Sequence, residues 1–331
     1  MARRVVRHSP DHRQRHIQGE VILSDSINLE LINIALRLAL YLDLMLLFGL
    51  AAFGLYGLRG RERRSGEVLP FAGFLATTAL VGVLLSMAGM LCMAWSMSGV
   101  SDWAELRPHV EMMVLETDVG TSWSLRVLAL ILATVAATQS KRWPTASLWL
   151  VTLAAGAAVA TLAWAGHGAM DEGERRTWHL ITDFLHLWAA GAWVGALAAF
   201  VLLLRQAEHR LSVLARTLTG FETAGAVIVL VISMTGAVNY LFIVGPTLDI
   251  LPDSLYGQLM ALKLGLFMAM LTFAALNRFH LSPLLEQARQ TGEHRVAVNA
   301  LRRSMALELS VAVIILGLVA WLGTLSPGID A

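Results

Sequence analysis

The chain has 331 residues, of which 56% are hydrophobic and 15% charged, and its mean hydropathy is +0.64. A soluble domain carries about 25% charged residues, so an ordinary cytosolic globule, a disordered chain and a disulfide-stapled secreted domain are all excluded. Lys+Arg 25 against Asp+Glu 24 leaves a net charge of +1, which offers nucleic acid no global attraction, and a single cysteine, Cys92, rules out an intrachain disulfide and a CxxC site.

A membrane-spanning helix needs about 20 mostly apolar residues. Eight segments qualify in chain order: 30–58, 71–98, 120–138, 145–165, 178–204, 221–244, 255–277 and 304–325. Arg-rich residues precede the first, as in a signal peptide. Its apolar run is too long for that role and no small-residue cleavage site follows, so it is read as a true span. Backbone polar groups in lipid must be satisfied within the segment. The expected fold is therefore all-α, a polytopic membrane bundle of about eight helices forming one transmembrane domain over 29–326.

Lys and Arg in short loops set the orientation. The 1–2 loop carries Arg59, Arg61, Arg63 and Arg64, the 3–4 loop Lys141 and Arg142, the 5–6 loop Arg205, Arg210 and Arg216, and the 7–8 loop Arg278, Arg289, Arg295, Arg302 and Arg303. The opposite loops are acidic: Asp102, Glu105, Glu111, Glu116 and Asp118, then Asp171, Glu172 and Glu174, then Asp249 and Asp253. The basic loops are expected inside and both termini outside. Arg175 and Arg176 oppose this pattern, as does the Arg/His-rich tail over 1–28. The tail is read as a solvated arm, disordered or foreign to the native chain, with metal collection by His8, His12 and His16 as the alternative.

Ionisable residues inside spans are costly and are functional candidates by default. The fifth segment reads Trp178-His179-Leu-Ile-Thr-Asp183-Phe-Leu-His186-Leu-Trp188. At about 100° per residue, Asp183 lies about 40° from His179 and His186 about 20° on the other side, about 10 Å deeper. The fourth segment ends at Gly166-His167, a short loop earlier, so His167 is expected to join them. Neutral imidazole suits copper, zinc or iron, and a carboxylate one turn away orients a ligating His. The alternative is that these groups hydrogen-bond one another and the backbone. In Gly191-Ala-Trp-Val-Gly195 the two glycines lie about 120–160° off this face and read as a small-residue packing motif.

The second segment carries Met90, Met93 and Met97 in a narrow stripe, with Cys92 pointing elsewhere. Thioethers select Cu(I), although Met is also a common core filler. Met112, Met113 and Met170 lie in the acidic loops. Further charges within spans are Arg37, Asp43, Arg126, Lys263 and Glu308, with Glu222 near a helix end. Pairing of Asp183 with one cation and Asp43 with another is the structural reading of these. The remaining cations would oppose a copper cation and would suit haem propionates or a ligand carboxylate.

From about Ile32 onward the chain resembles the copper resistance protein D (CopD) family of bacterial inner-membrane proteins. The resemblance rests on Gly166-His167 followed by His179, on Asp183-Phe-Leu-His186-Leu-Trp-Ala-Ala-Gly191-Ala-Trp193-Val-Gly195, on Tyr256-Gly257-Gln-Leu-Met-Ala-Leu-Lys263, on Asn277-Arg278 and on Arg303-Ser-Met-Ala-Leu-Glu308, with Pro327 near the end. These motifs occur in the family's order, and the most family-like part is about 160–326. The resemblance implies copper homeostasis in the bacterial inner membrane, and a periplasmic copper-binding partner of the copper resistance protein C (CopC) type.

The expectation is thus a protein that takes copper, as Cu(I) or Cu(II), from the periplasm through His167, His179 and His186 tuned by Asp183, and moves it across the inner membrane. Met90, Met93 and Met97 would be an auxiliary Cu(I) rung. No P-loop, nucleophile–base arrangement or HExxH motif occurs, so no enzymatic activity is expected. Two other readings stand: a one-haem electron carrier with His axial ligands and Arg37, Arg126 and Lys263 at the propionates, and a delivery scaffold that hands copper on without translocating it. The sparse set of ligands in the inner half, where His209, His280 and His294 fall in loops, favours the scaffold over a channel.

Overall fold

The structure, a computed structural model, describes residues 12–100, 102–166, 172–205, 207–246, 254–291 and 294–325. Within these the secondary structure is helical, and eight helices are long and apolar enough to cross a membrane. The elements are α1 (His12–Tyr56), α2 (Phe71–Ser98), α3 (Trp103–Glu116), α4 (Asp118–Thr138), α5 (Pro144–Ala160), α6 (Gly173–Arg205), α7 (Ala207–Ile243), α8 (Leu255–Leu276), α9 (Ser282–Thr291) and α10 (His294–Leu322). The segments read from hydropathy coincide with α1, α2, α4, α5, α6, α7, α8 and α10. α1 begins at His12, ahead of the part long and apolar enough to cross a membrane, which starts at Asn28.

The connection expected to be a loop between the second and third spans contains α3. Asp102 caps it by accepting from the Ala104 N–H at 3.0 Å, as helix starts favour. Pro108 inside it and its modest apolar content hide it from a hydropathy reading. It lays Leu106 and Met113 against Met90 and Ala94 of α2.

α1 and α6 form the centre. Each is more than half buried over its apolar window, 56% and 61%, against 11% for α7 and 17% for α8. α1 packs against α2, α5, α6 and α10, and α6 against α1, α5, α7 and α10. The closest approach is glycine on glycine. A Cβ on Gly49 would overlap the Gly191 carbonyl and the Gly195 backbone, and one on Gly195 would overlap Gly49. The motif expected to pack helices does so, because only hydrogen side chains let two helix backbones come that close.

Arginines finish the helix ends. The last carbonyls of a helix have no partner within it and carry partial negative charge. Arg63 Nη2 donates to the Leu55 carbonyl of α1, and Arg302 Nη2 to the Leu204 carbonyl of α6, both at 2.7 Å. At the opposite end of the bundle Arg175 donates to the Phe242 carbonyl of α7, and Arg37 to the Gly323 carbonyl just past α10, both at 2.6 Å. Arg176 pairs with Asp118 at 2.9 Å. Arg175 and Arg176, which oppose the loop-charge pattern, thus have local partners, as does Arg37 of the first span. These contacts also fix the antiparallel order: one end of the bundle is the arginine-rich face, the other the acidic face.

Candidate functional site

The site lies on α6 near the acidic face, against α7. His179 is 1% exposed. Its ring stacks on Phe242 with centroids 5.0 Å apart, and Arg175 lies over the same phenyl ring at 5.8 Å. One turn along, Asp183 brings Oδ2 to 3.8 Å from His179 Nε2, while its Oδ1 accepts a 2.6 Å hydrogen bond from Asn239 Nδ2 of α7. One turn deeper, His186 Nδ1 shares a 3.0 Å hydrogen bond with the Thr235 hydroxyl. Gly236 leaves room for that ring, since a Cβ there would meet His186 Cε1 at 3.4 Å. Lys263 of α8 lies within electrostatic reach of both Asp183 and His186. The i, i+4, i+7 spacing therefore points all three groups at α7, as helical geometry predicts.

The neighbouring helix expected from the short loop is also present. Trp188 donates to the Gly156 carbonyl of α5 at 2.8 Å, and Trp164 packs on Phe184 with centroids 5.2 Å apart. A Cβ at Gly166 would lie 4.0 Å from Asp183 Oδ2, which brings the chain beside the carboxylate one residue before His167. His167 and Met170 lie outside the described residues. Among the described residues, no three His, Cys, Asp or Glu side chains are grouped closely enough to hold a metal ion. Among the described residues, His179 with Asp183, and His186 with Thr235, form two successive levels along α6.

The methionine stripe is divided. Met90 is 5% exposed and packs on α3 with Met113, whereas Met93 and Met97 are exposed. α2 packs against α1, α3 and α4, while α6 faces α7, α5 and α10. An inward rung level with the histidines is not what this packing builds, because α3 covers one edge of the stripe and leaves the other open.

The remaining intramembrane charges separate by partner. Asp183 has Lys263 within reach, as ion pairing required. Among the described residues no cation pairs with Asp43. Its Oδ2 is buried without a hydrogen-bond partner, against Gly82, where a Cβ would come within 2.6 Å. Arg126 and Arg37 both lie within electrostatic reach of Tyr41, and Arg126 is buried with no partner for Nε. Glu308 of α10 is 1% exposed and accepts a 2.9 Å hydrogen bond from Asn277 Nδ2.

Sequence reasoning missed Thr235, Asn239 and Phe242, which supply the α7 wall of the site. The signal was present as a polar i, i+4 pair, Thr235 and Asn239, on one face of an apolar span. Neither residue titrates, so neither stood out as costly.

Comparison with known proteins adds two matches that together cover most of the chain. The family described as copper resistance protein D-like, N-terminal domain, matches residues 28–178, and copper resistance protein D matches residues 215–322. The copper resistance protein D of Pseudomonas syringae pv. tomato is 56% identical over 304 residues, covering 91% of this chain and 98% of that protein. The inner membrane protein YebZ of Escherichia coli strain K12 is 31% identical over 301 residues, covering 89% of this chain and 98% of that protein. The copper transport protein CutJ of Bacillus subtilis strain 168 is 28% identical over 288 residues, covering 84% of this chain and 51% of that protein. No solved structure matches.

Proposed function

The chain belongs to the copper resistance protein D family, and from that premise we propose that it captures copper at the acidic face and moves it across the bacterial inner membrane. The acidic face is the periplasmic one, because the arginine-rich loops stay in the cytoplasm. Both termini of the transmembrane domain then lie on the periplasmic side. The observation that carries the reading is the polar line on α6: His179, Asp183 and His186 descend from that face in a segment where each costs energy unless it has a use.

In this reading His167 and His179 meet the ion first, and His186 receives it one level down. Asp183 orients His179 and offsets the charge of Lys263, so the cation does not meet an uncompensated ammonium group. Asn239 and Thr235 hold Asp183 and His186 in place. The protein acts as a transporter and not as an enzyme. The acidic residues of α3, with Asp102 before them, face the compartment from which a copper-binding protein of the copper resistance protein C type would deliver its ion. Two of the cations that a haem reading assigned to propionates are otherwise engaged, Arg37 with the Gly323 carbonyl and Lys263 beside Asp183.

The test is copper accumulation and copper-dependent growth in cells carrying His186→Ala, with membrane insertion followed in parallel. Loss of the copper effect at normal insertion is expected. Wild-type copper accumulation in that variant would remove the proposed site.

A further inference from the structure

Seven residues beyond His186 on α6 stands Trp193, on the same face of the helix and about 10 Å deeper. Its indole lies beside the Glu308 carboxylate of α10. Around that carboxylate the structure gathers a polar group that the outer site does not use. Glu308 Oε2 accepts from Asn277 Nδ2 at 2.9 Å, and the same Nδ2 lies 3.8 Å from Met305 Sδ. Glu308 and Asn277 are 1% and 4% exposed, and Glu308 Oε1 and Asn277 Oδ1 are both buried without a hydrogen-bond partner. Among the described residues no Lys, Arg or His pairs with Glu308.

The backbone contributes as well. Asn277 opens a π-turn over Asn277–Leu281, in which the Ser282 N–H reaches back to the Asn277 carbonyl. Such turns break the α register and concentrate at functional sites. On α10, Met305 and Glu308 are three residues apart and so share a face.

A carboxylate held in a span without a cation is strongly disfavoured. A cation that enters beside it restores the balance, and two unpartnered oxygens with a thioether nearby form a donor set for one. Turning the Asn277 amide over would present its oxygen to the ion. The thioether selects a soft ion, and one negative charge matches one positive charge. Divalent zinc or Cu(II) would leave an uncompensated charge in the bilayer.

We propose that Glu308, Met305 and Asn277 form a second station, for Cu(I), below His186 on the line of α6. The proposal rests on the copper-transport reading and supplies the inner ligands that His spacing alone does not reveal.

The experiment loads purified full-length protein with Cu(I) under reducing conditions. Bound copper is counted by elemental analysis after competition with a Cu(I) chelator, and sulfur ligation is read by X-ray absorption. Wild type is expected to hold about two Cu(I) per chain. A His179→Ala/His186→Ala variant should keep one, with sulfur in its coordination shell. Met305→Leu, which conserves volume, should abolish that sulfur signal, and Glu308→Gln should remove the ion. Unchanged stoichiometry and spectra in Met305→Leu and Glu308→Gln, with copper still lost on removing His179 and His186, would overturn the inner station and leave the outer site standing. Wild type that binds no copper would overturn both.

Discussion

Replacing Asp183 by Asn removes one negative charge and almost no volume. In the native chain that charge sits 3.8 Å from His179 Nε2, accepts a 2.6 Å bond from Asn239, and faces Lys263. The Asn239 bond survives, because the new amide still offers an oxygen. What is lost is the counter-charge of Lys263. Breaking a buried pair by removing one partner costs about 3–5 kcal/mol. The Asp183 side chain keeps 19% of its exposure, which places the expected loss at the lower end, about 3 kcal/mol. Copper affinity should fall about 10–100-fold, the usual consequence of losing a carboxylate behind a ligating His.

Lys263→Met removes the other partner. Alone it should strengthen copper binding, since a cation beside His186 disappears. Combined with Asp183→Asn it should recover about 0.5–3 kcal/mol of the stability lost, the range of interaction energies for coupled groups. The assay is reversible unfolding of the four proteins in mixed micelles, with Cu(I) affinity measured by chelator competition on the same samples. If the two stability losses add to within about 0.5 kcal/mol, Asp183 and Lys263 are energetically independent and the pairing argument fails.

Three further outcomes are expected. Gly195→Ala forces a methyl group into the Gly49 backbone; the α1–α6 contact should open at a cost of at least about 1–3 kcal/mol, seen as a lower unfolding midpoint. Arg37→Met keeps the apolar stem but uncovers the Gly323 carbonyl; a loss of about 1–2 kcal/mol is expected, with hydrogen exchange rising first at the end of α10. Glu62 is bound by both Arg216 nitrogens, at 2.9 and 2.6 Å, and the hydrogen bond from Arg216 holds its carboxyl below the ordinary value of 4.5. Its contribution is therefore complete above that value and is lost as pH falls through the lowered one. Glu62→Gln should flatten the acid limb of the stability curve below pH 4.5 and leave the neutral limb's slope unchanged; an unaltered acid limb would count against the pairing.

The span count was legible because lipid imposes a length and a composition on any segment that crosses it, and both are local properties of the chain. The same holds for the shared face of His179, Asp183 and His186, which follows from 3.6 residues per turn. The packing role of Gly191 and Gly195 was also readable, since small residues at that spacing in an apolar helix have few other uses. Partners were not readable. Nothing local in α7 says that Asn239 meets Asp183 or that Thr235 meets His186, and Asp43 carries no mark showing that its Oδ2 is buried without a hydrogen-bond partner among the described residues while Asp183 has Lys263 within reach. The methionine stripe was regular in sequence, yet α3 settled which edge of it is covered. Glu308 was visible as a costly charge, but Asn277 and Met305 around it come from two helices and a π-turn. Hydropathy and helical period act along one segment and are fixed by its own residues. Which groups neutralise, cap or complete one another is decided between segments, when α6, α7, α8 and α10 pack and each buried polar atom takes the neighbour that packing leaves it.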